Sequence, residues 1–227
     1  MTYKILKVPV KKSLNPHFIG LFISEDTRVC DGVMSFFEDN VESHNEIGFF
    51  NYEEKKIDYD SSVIDGKNMT ISLGNVNNDD HVSIRNYFLY LGECLKSYGN
   101  IYDAFDINNL GVSVNNNITR LNKSSVDNNR YNYHRKQPEQ GMDVFYFKTY
   151  LNSLDSGAET EFKFQGTSIN HIKGLTLICP TDWTHSFRVL NKNSSKDFSY
   201  SISGTISYSE VKGQKIGMSF DDIKKDK

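Results

Sequence analysis

Apolar residues recur along this chain with two different periods, and the change between them divides it. In SEDTRVCDGVMSFFEDN, Val29, Val33, Phe36 and Phe37 fall on one stripe at helical spacing, with Ser24 placed to cap and Glu25 and Asp26 in the first turn. In DDHVSIRNYFLYLGECLKSYG, the same period runs through Ile84, Phe88, Leu91, Leu95 and Tyr98; Asp79 or Asp80 can cap, and Gly99 supplies a stop. These predict two helices. Between them, GFFNYEEKKIDYDSSVIDGKNMTISLG reads as extended segments joined by polar turns.

From about residue 111 the period shortens to two. NNITRL, DVFYFKTYL, ETEFKF, LTLIC and FSYSISGTISY are short candidate strands separated by Gly, Asn, Ser or Pro. The last alternates most regularly. Phe198, Tyr200, Ile202, Gly204, Ile206 and Tyr208 interleave with Ser199, Ser201, Ser203, Thr205 and Ser207, which predicts one buried and one hydroxylated face. Helices followed by short antiparallel strands predict a mainly β domain with flanking helices, a sandwich or jelly roll with two N-terminal helices outside it. The expected layout is a single domain over 1–227, with a helical and extended annex over 1–110, a β core over 111–208 and a frayed tail over 209–227.

The 227 residues carry a net charge of -3, so charge gives no indication of a nucleic-acid partner. Cys30, Cys94 and Cys179 are odd in number and widely spaced, which suggests reduced core thiols rather than disulfides or a zinc knuckle. No apolar run reaches signal-peptide or membrane-span length, so the expected location is cytoplasmic, in a reducing compartment. Asn-rich loops carry no functional weight. No G-x-S-x-G, P-loop or G-x-G-x-x-G occurs, which leaves hydrolase and nucleotide readings without support.

One region carries a specific resemblance. FKTYLNSLDSGAETEFKF, then INHIKGLTLICPTDWTH, then Lys196 before an alternating strand resemble the Fe(II)/2-oxoglutarate-dependent oxygenases, in particular the prolyl-4-hydroxylase-like proteins of marine phages. The resemblance implies a double-stranded β-helix, jelly-roll and cupin-like, with Fe(II) held by a His-x-Asp/Glu pair and a distal His. It also implies 2-oxoglutarate as cosubstrate, its far carboxylate paired with a cation about ten residues beyond the distal His. A protein, peptide or small molecule would be hydroxylated. Host cytoplasm or virion, and a virion or homo-oligomeric assembly, are the settings it suggests.

Carried onto this chain, the first ligand falls on His134, the distal one on His185 and the cosubstrate cation on Lys196, eleven residues beyond. The carboxylate position is Lys136, and an ammonium beside a dication is repelled. Three explanations stay open: Glu139 folds back as the third metal ligand, an external anion completes the site, or Lys136 occupies the metal's place and catalysis has lapsed. The third is preferred. Related phage proteins carry two histidines near the distal position, and the second is Phe187 here, so His185 is either the ligand or a loop histidine bonded to a neighbour. The alternative function is therefore a catalytically inactive binding or structural module. Gly157, Ala158, Pro180 and Trp183 read as turn and packing residues, and Tyr131 and Tyr133 as core. His44-x-Glu46 has ligand spacing far from the β-rich half, whereas His17, His81 and His171 have no partner at such spacing. Thr205 and Ser207 are too ordinary to nominate.

Overall fold

Strands that bury one face were predicted; Ala158–Phe162 and Thr167–Asn170 do so, whereas the central strands Asp143–Tyr150 and Leu175–Pro180 are covered on both. The computed structural model describes residues 5–8, 17–51, 54–59, 61, 64–73, 81–102, 106–113, 115–124, 143–154, 158–191, 198–211, 214–215 and 218–224. The first half contributes Ile5–Lys7 (β1), Gly20–Ser24 (β2), Asn45–Glu46 (β3), Phe49–Asn51 (β4), Lys56–Asp58 (β5) and Ile64–Ser72 (β6). Helices Arg28–Asp39 (α1) and Val82–Gly99 (α2) lie among them. Then come Leu110–Val112 (β7), Asn115–Ser124 (β8), Asp143–Tyr150 (β9), Ala158–Phe162 (β10), Thr167–Asn170 (β11), Leu175–Pro180 (β12), Phe187–Asn191 (β13) and Ser199–Tyr208 (β14). Glu210–Val211 (β15), Gln214–Lys215 (β16), Met218–Ser219 (β17) and the short helix Phe220–Lys224 (α3) close the chain.

Thirteen of the described strands form one antiparallel sheet in the order β1-β2-β12-β9-β14-β8-β13-β10-β11, with β6 added on β8, β3 on β6, β7 on β14 and β17 on β7. A single residue pair, Asn191 with Ser124, joins β13 to β8. There the sheet turns over, so that β10, β11 and β13 face the larger layer, and Phe162, Ile169 and Phe187 meet Leu21, Tyr146, Tyr150, Leu175, Leu177 and Cys179 across the gap. The other face of the larger layer carries the helices: Phe145, Phe147, Ile178, Ile202 and Ile206 pack with Val33 and Phe37 of α1 and Tyr87, Phe88, Leu91 and Leu95 of α2. This double coverage explains why β9 and β12 read as nearly unbroken apolar runs. No described helix is long and apolar enough to cross a membrane.

Three local expectations change. Ser24 does not cap α1: it is paired with Ile5 in the sheet, its Oγ accepts the Asp26 amide, and Asp26 Oδ1 in turn accepts the Arg28 amide where the helix starts. Gly99 is the last residue of α2 rather than a stop beyond it, and a Cβ there would meet Ile107 Cγ2 at 2.6 Å, so the glycine serves close approach. The hydroxylated face of β14 is covered: Ser199, Ser201 and Ser207 are all buried, because this face looks into the gap between the layers. Asp79 and Asp80 lie outside the described residues. Past Tyr208 the chain returns to the body, with β17 paired to β7 and Ile223 buried.

Polar groups under α2 are satisfied by one another. Tyr87 Oη is 2.8 Å from Thr149 Oγ1, which is 2.7 Å from Thr176 Oγ1; Thr176 Oγ1 is 2.9 Å from Tyr90 Oη, which donates to the Gly174 carbonyl. Burial holds both tyrosine hydroxyls well above their ordinary pKa. Thr176→Val keeps the shape and takes one hydrogen-bond partner from each of two buried hydroxyls, so urea unfolding is expected to show a loss of about 1–3 kcal/mol. A change below about 0.5 kcal/mol would mean that the chain of hydroxyls contributes nothing.

Candidate functional site

Alternation on β9 sends Phe145, Phe147 and Thr149 toward the helices and Tyr146, Lys148 and Tyr150 into the gap between the layers. Lys148 stands opposite Leu177 of β12 and Ser203 of β14. Its neighbours are polar but satisfied. Tyr146 hydrogen-bonds Ser203, and Tyr150 Oη donates to Thr160 Oγ1 of β10 at 2.7 Å. His171, just after β11, lies with its ring 4.5 Å from that of Tyr150. The His171 Nε2 is 3.1 Å from the Tyr200 carbonyl and donates to it; burial first, and the Lys148 charge second, push this imidazole down to about 3.

Lys148 itself is only 6 % exposed. Its Nζ lies 5.6 Å from the centre of the Tyr150 ring, and among the described residues it has no carboxylate or hydrogen-bond acceptor. Burial alone lowers its pKa from 10.5 to about 8. An aromatic face offsets a little of such a cost, a counter-ion far more.

His185 sits in the 3-10 turn Trp183–His185 that leads into β13. Asp182 builds this turn: its Oδ1 accepts the Thr184 amide at 3.0 Å and the Thr184 hydroxyl, and lies 3.1 Å from His185 Nδ1. Burial would raise the Asp182 carboxyl, but the bonds from Thr184 and His185 outweigh it and hold the pKa low. On the other side of the ring, Nε2 donates to the carbonyl of His17 at 2.8 Å. Both nitrogens of His185 thus face protein oxygens, and neither presents a lone pair to the interior. Ligation requires such a lone pair, so the ring as placed does not fit a metal. Phe187, two residues on, points into the gap, stacked 4.9 Å from the Tyr146 ring and 5.7 Å from that of Phe162.

His134, Lys136, Glu139 and Lys196 lie outside the described residues, as do Tyr131, Tyr133 and Gly157. Among the described residues no three His, Cys, Asp or Glu side chains are grouped to hold a metal. His44 Nε2 donates to the Phe37 carbonyl and its ring stacks on Phe37, a packing role for the His-x-Glu motif. Thr205 donates to Ser113 Oγ, which is 3.0 Å from Asp143 Oδ1 and 3.2 Å from Ser207 Oγ, a closed polar cluster. The three cysteines are free and buried, with burial raising the thiols of Cys30 and Cys94 to about 12, far from nucleophile range. Lys148 is the site residue that pattern reading missed. Its signal was a single cation within FYFKTY.

The sequence matches no family model and no curated protein. Solved structures do match. A prolyl-4-hydroxylase from Pseudomonas putida superposes with a TM-score of 0.57 at 10% identity, over 85% of this chain and 94% of that one. A prolyl 4-hydroxylase from Phytophthora capsici gives 0.54 at 13% identity, over 93% and 67%. The viral collagen prolyl hydroxylase of Paramecium bursaria Chlorella virus-1, in its 2OG complex, gives 0.50 at 10% identity, over 90% and 94%. At these identities the likeness is one of fold, and this chain has a mainly β, prolyl-4-hydroxylase-like fold.

The Lys148 pKa sets a stability window. The amine titrates near 10.5 in an unfolded chain and near 8 in the fold, so the unfolded chain binds more protons between those values and stability rises with pH across them. Below about 8 the full cost is present, roughly 3 kcal/mol for the shift. Lys148→Met is expected to stabilise the ligand-free protein at pH 7 by about that amount and to flatten its pH dependence from 8 to 10.5 in denaturant titrations. A variant less stable than the parent at pH 7 would contradict this.

Proposed function

We propose that this chain is a double-stranded β-helix of the prolyl-hydroxylase type that serves as a binding or structural module without iron-dependent hydroxylation. The order β12-β9-β14-β8 in one layer and β13-β10-β11 in the other supports the jelly-roll reading, with 111–208 as core, 1–110 as annex and 209–227 as tail. One observation carries the functional half: the ring nitrogens of His185 are engaged by Asp182 and the His17 carbonyl. Two residues point the same way. Lys136 stands where a carboxylate ligand belongs, and Phe187 packs as an aromatic core residue. A phage virion or a host-contact surface, with a protein or peptide partner, would suit such a module.

The fold likeness favours a second reading, a 2-oxoglutarate/Fe(II) oxygenase acting on a protein, peptide or small molecule. Its site would be His134, His185 and Glu139 on the metal and Lys196 on 2-oxoglutarate, which requires His185 to release the His17 carbonyl. Anaerobic loading separates the two. The module reading expects no stoichiometric Fe(II) uptake and no succinate formed from 2-oxoglutarate; either one would overturn it. Lys136→Asp combined with Phe187→His is expected to gain Fe(II) binding that the parent lacks, read by metal analysis after desalting.

A further inference from the structure

We propose that Trp183 and Phe164 form a surface platform that binds a neutral sugar ring. The site is separate from the gap between the layers, and it stands whichever reading of the iron chemistry holds. Pattern reading places Trp183 in packing, yet at 66 % it is the most exposed large apolar side chain among the described residues, and Phe164 is 57 % exposed. Their ring centres lie 5.8 Å apart with planes at 86°, an open corner with a floor and a wall. Both rings ride on loops that bond each other: the Lys163 amide donates to the Ser186 carbonyl at 3.0 Å, and Gln165 Nε2 to the Thr184 carbonyl at 2.9 Å. Ser186 Oγ donates back to the Trp183 carbonyl at 2.6 Å. A corner tied in this way is held out in water before any ligand arrives, which removes part of the ordering cost of binding.

Area, charge and hydrogen bonding select the occupant. An aromatic side chain offers about 150–250 Å², so two partly exposed rings fall short of the roughly 800 Å² that each partner gives to a stable protein interface. Asp182 and Lys163 each precede one of the rings in the chain and bring one charge of each sign. The Lys163 ammonium already lies 5.5 Å from the centre of the Phe164 ring, so neither an anion nor a second cation is favoured. Asp182 Oδ1 is taken by Thr184 and His185, whereas Oδ2 has no partner among the described residues. The low pKa of this exposed carboxyl keeps it ionised and able to accept a hydroxyl. A pyranose suits all of these: its C–H face lies on the negative face of an indole, and its hydroxyls reach a carboxylate and an ammonium at the edge.

The test uses the full chain and reads the emission of Trp183, the only tryptophan in the sequence. The probes are the methyl glycosides of glucose, galactose, mannose and N-acetylglucosamine, with maltose and cellobiose. At least one is expected to shift the emission saturably with a Kd of about 1–10 mM, the scale of a ligand of about a dozen heavy atoms. Trp183→Ala and Phe164→Ala, each checked for an unchanged thermal transition, are expected to weaken that sugar by about tenfold or more and about threefold, with binding read from the sugar's own NMR signals. Silence of every sugar, affinity unchanged in Trp183→Ala, or a response to tetramethylammonium or a tetraproline peptide in place of the sugars would each overturn the platform. Succinate production from 2-oxoglutarate with Fe(II) would overturn the non-catalytic reading and leave the platform standing.

Discussion

A sheet covered on both faces has to find a partner for every polar group it buries, and the central strands of this protein are organised by that demand. On the helix side of β9 and β12, four hydroxyls and one carbonyl satisfy each other in a chain from Tyr87 to Gly174. On the inner side, Tyr146 is matched by Ser203 and Tyr150 by Thr160. The serine-rich face of β14 supplies hydroxyls to the interior rather than to solvent. Lys148 is a charged group on this inner side without such a match among the described residues, and its depressed pKa is the electrostatic expression of its burial.

The same demand decides what His185 does. Its turn, built by Asp182, delivers the ring to the His17 carbonyl, and this bond ties the segment before β2 to the loop before β13. A histidine that joins two chain segments through both nitrogens is a structural cross-brace. Phe187 then takes the inward position on β13, where its stack on Tyr146 fills the gap with hydrocarbon. The likeness to prolyl hydroxylases is one of backbone and layers, at 10% and 13% identity.

Periodicity revealed the elements that bury one well-defined face. α2 reads clearly because Ile84, Phe88, Leu91, Leu95 and Tyr98 repeat at helical spacing, and all five are buried. β2 was hidden, since GLFIS is short and its Ser24 resembles a helix cap; β13, with Arg188 between Phe187 and Val189, was equally quiet. The face of β14 was misassigned for a physical reason: hydroxyls are as compatible with a hydrogen-bonded interior as with water. His185 was legible as a loop histidine with two possible roles, and only the position of the His17 carbonyl, 168 residues away in sequence, favours one of them. Lys148 was invisible to pattern because a lone lysine in a strand reads as an exposed edge residue.

The charge state of Lys148 underlies the whole account of the interior, and it can be observed directly. Heteronuclear NMR of the lysine side-chain amines in isotope-labelled protein, with Lys148→Met to assign the signal, follows its titration. The account requires one lysine, missing from the variant, to titrate near 8. A Lys148 amine titrating near 10.5 would contradict it.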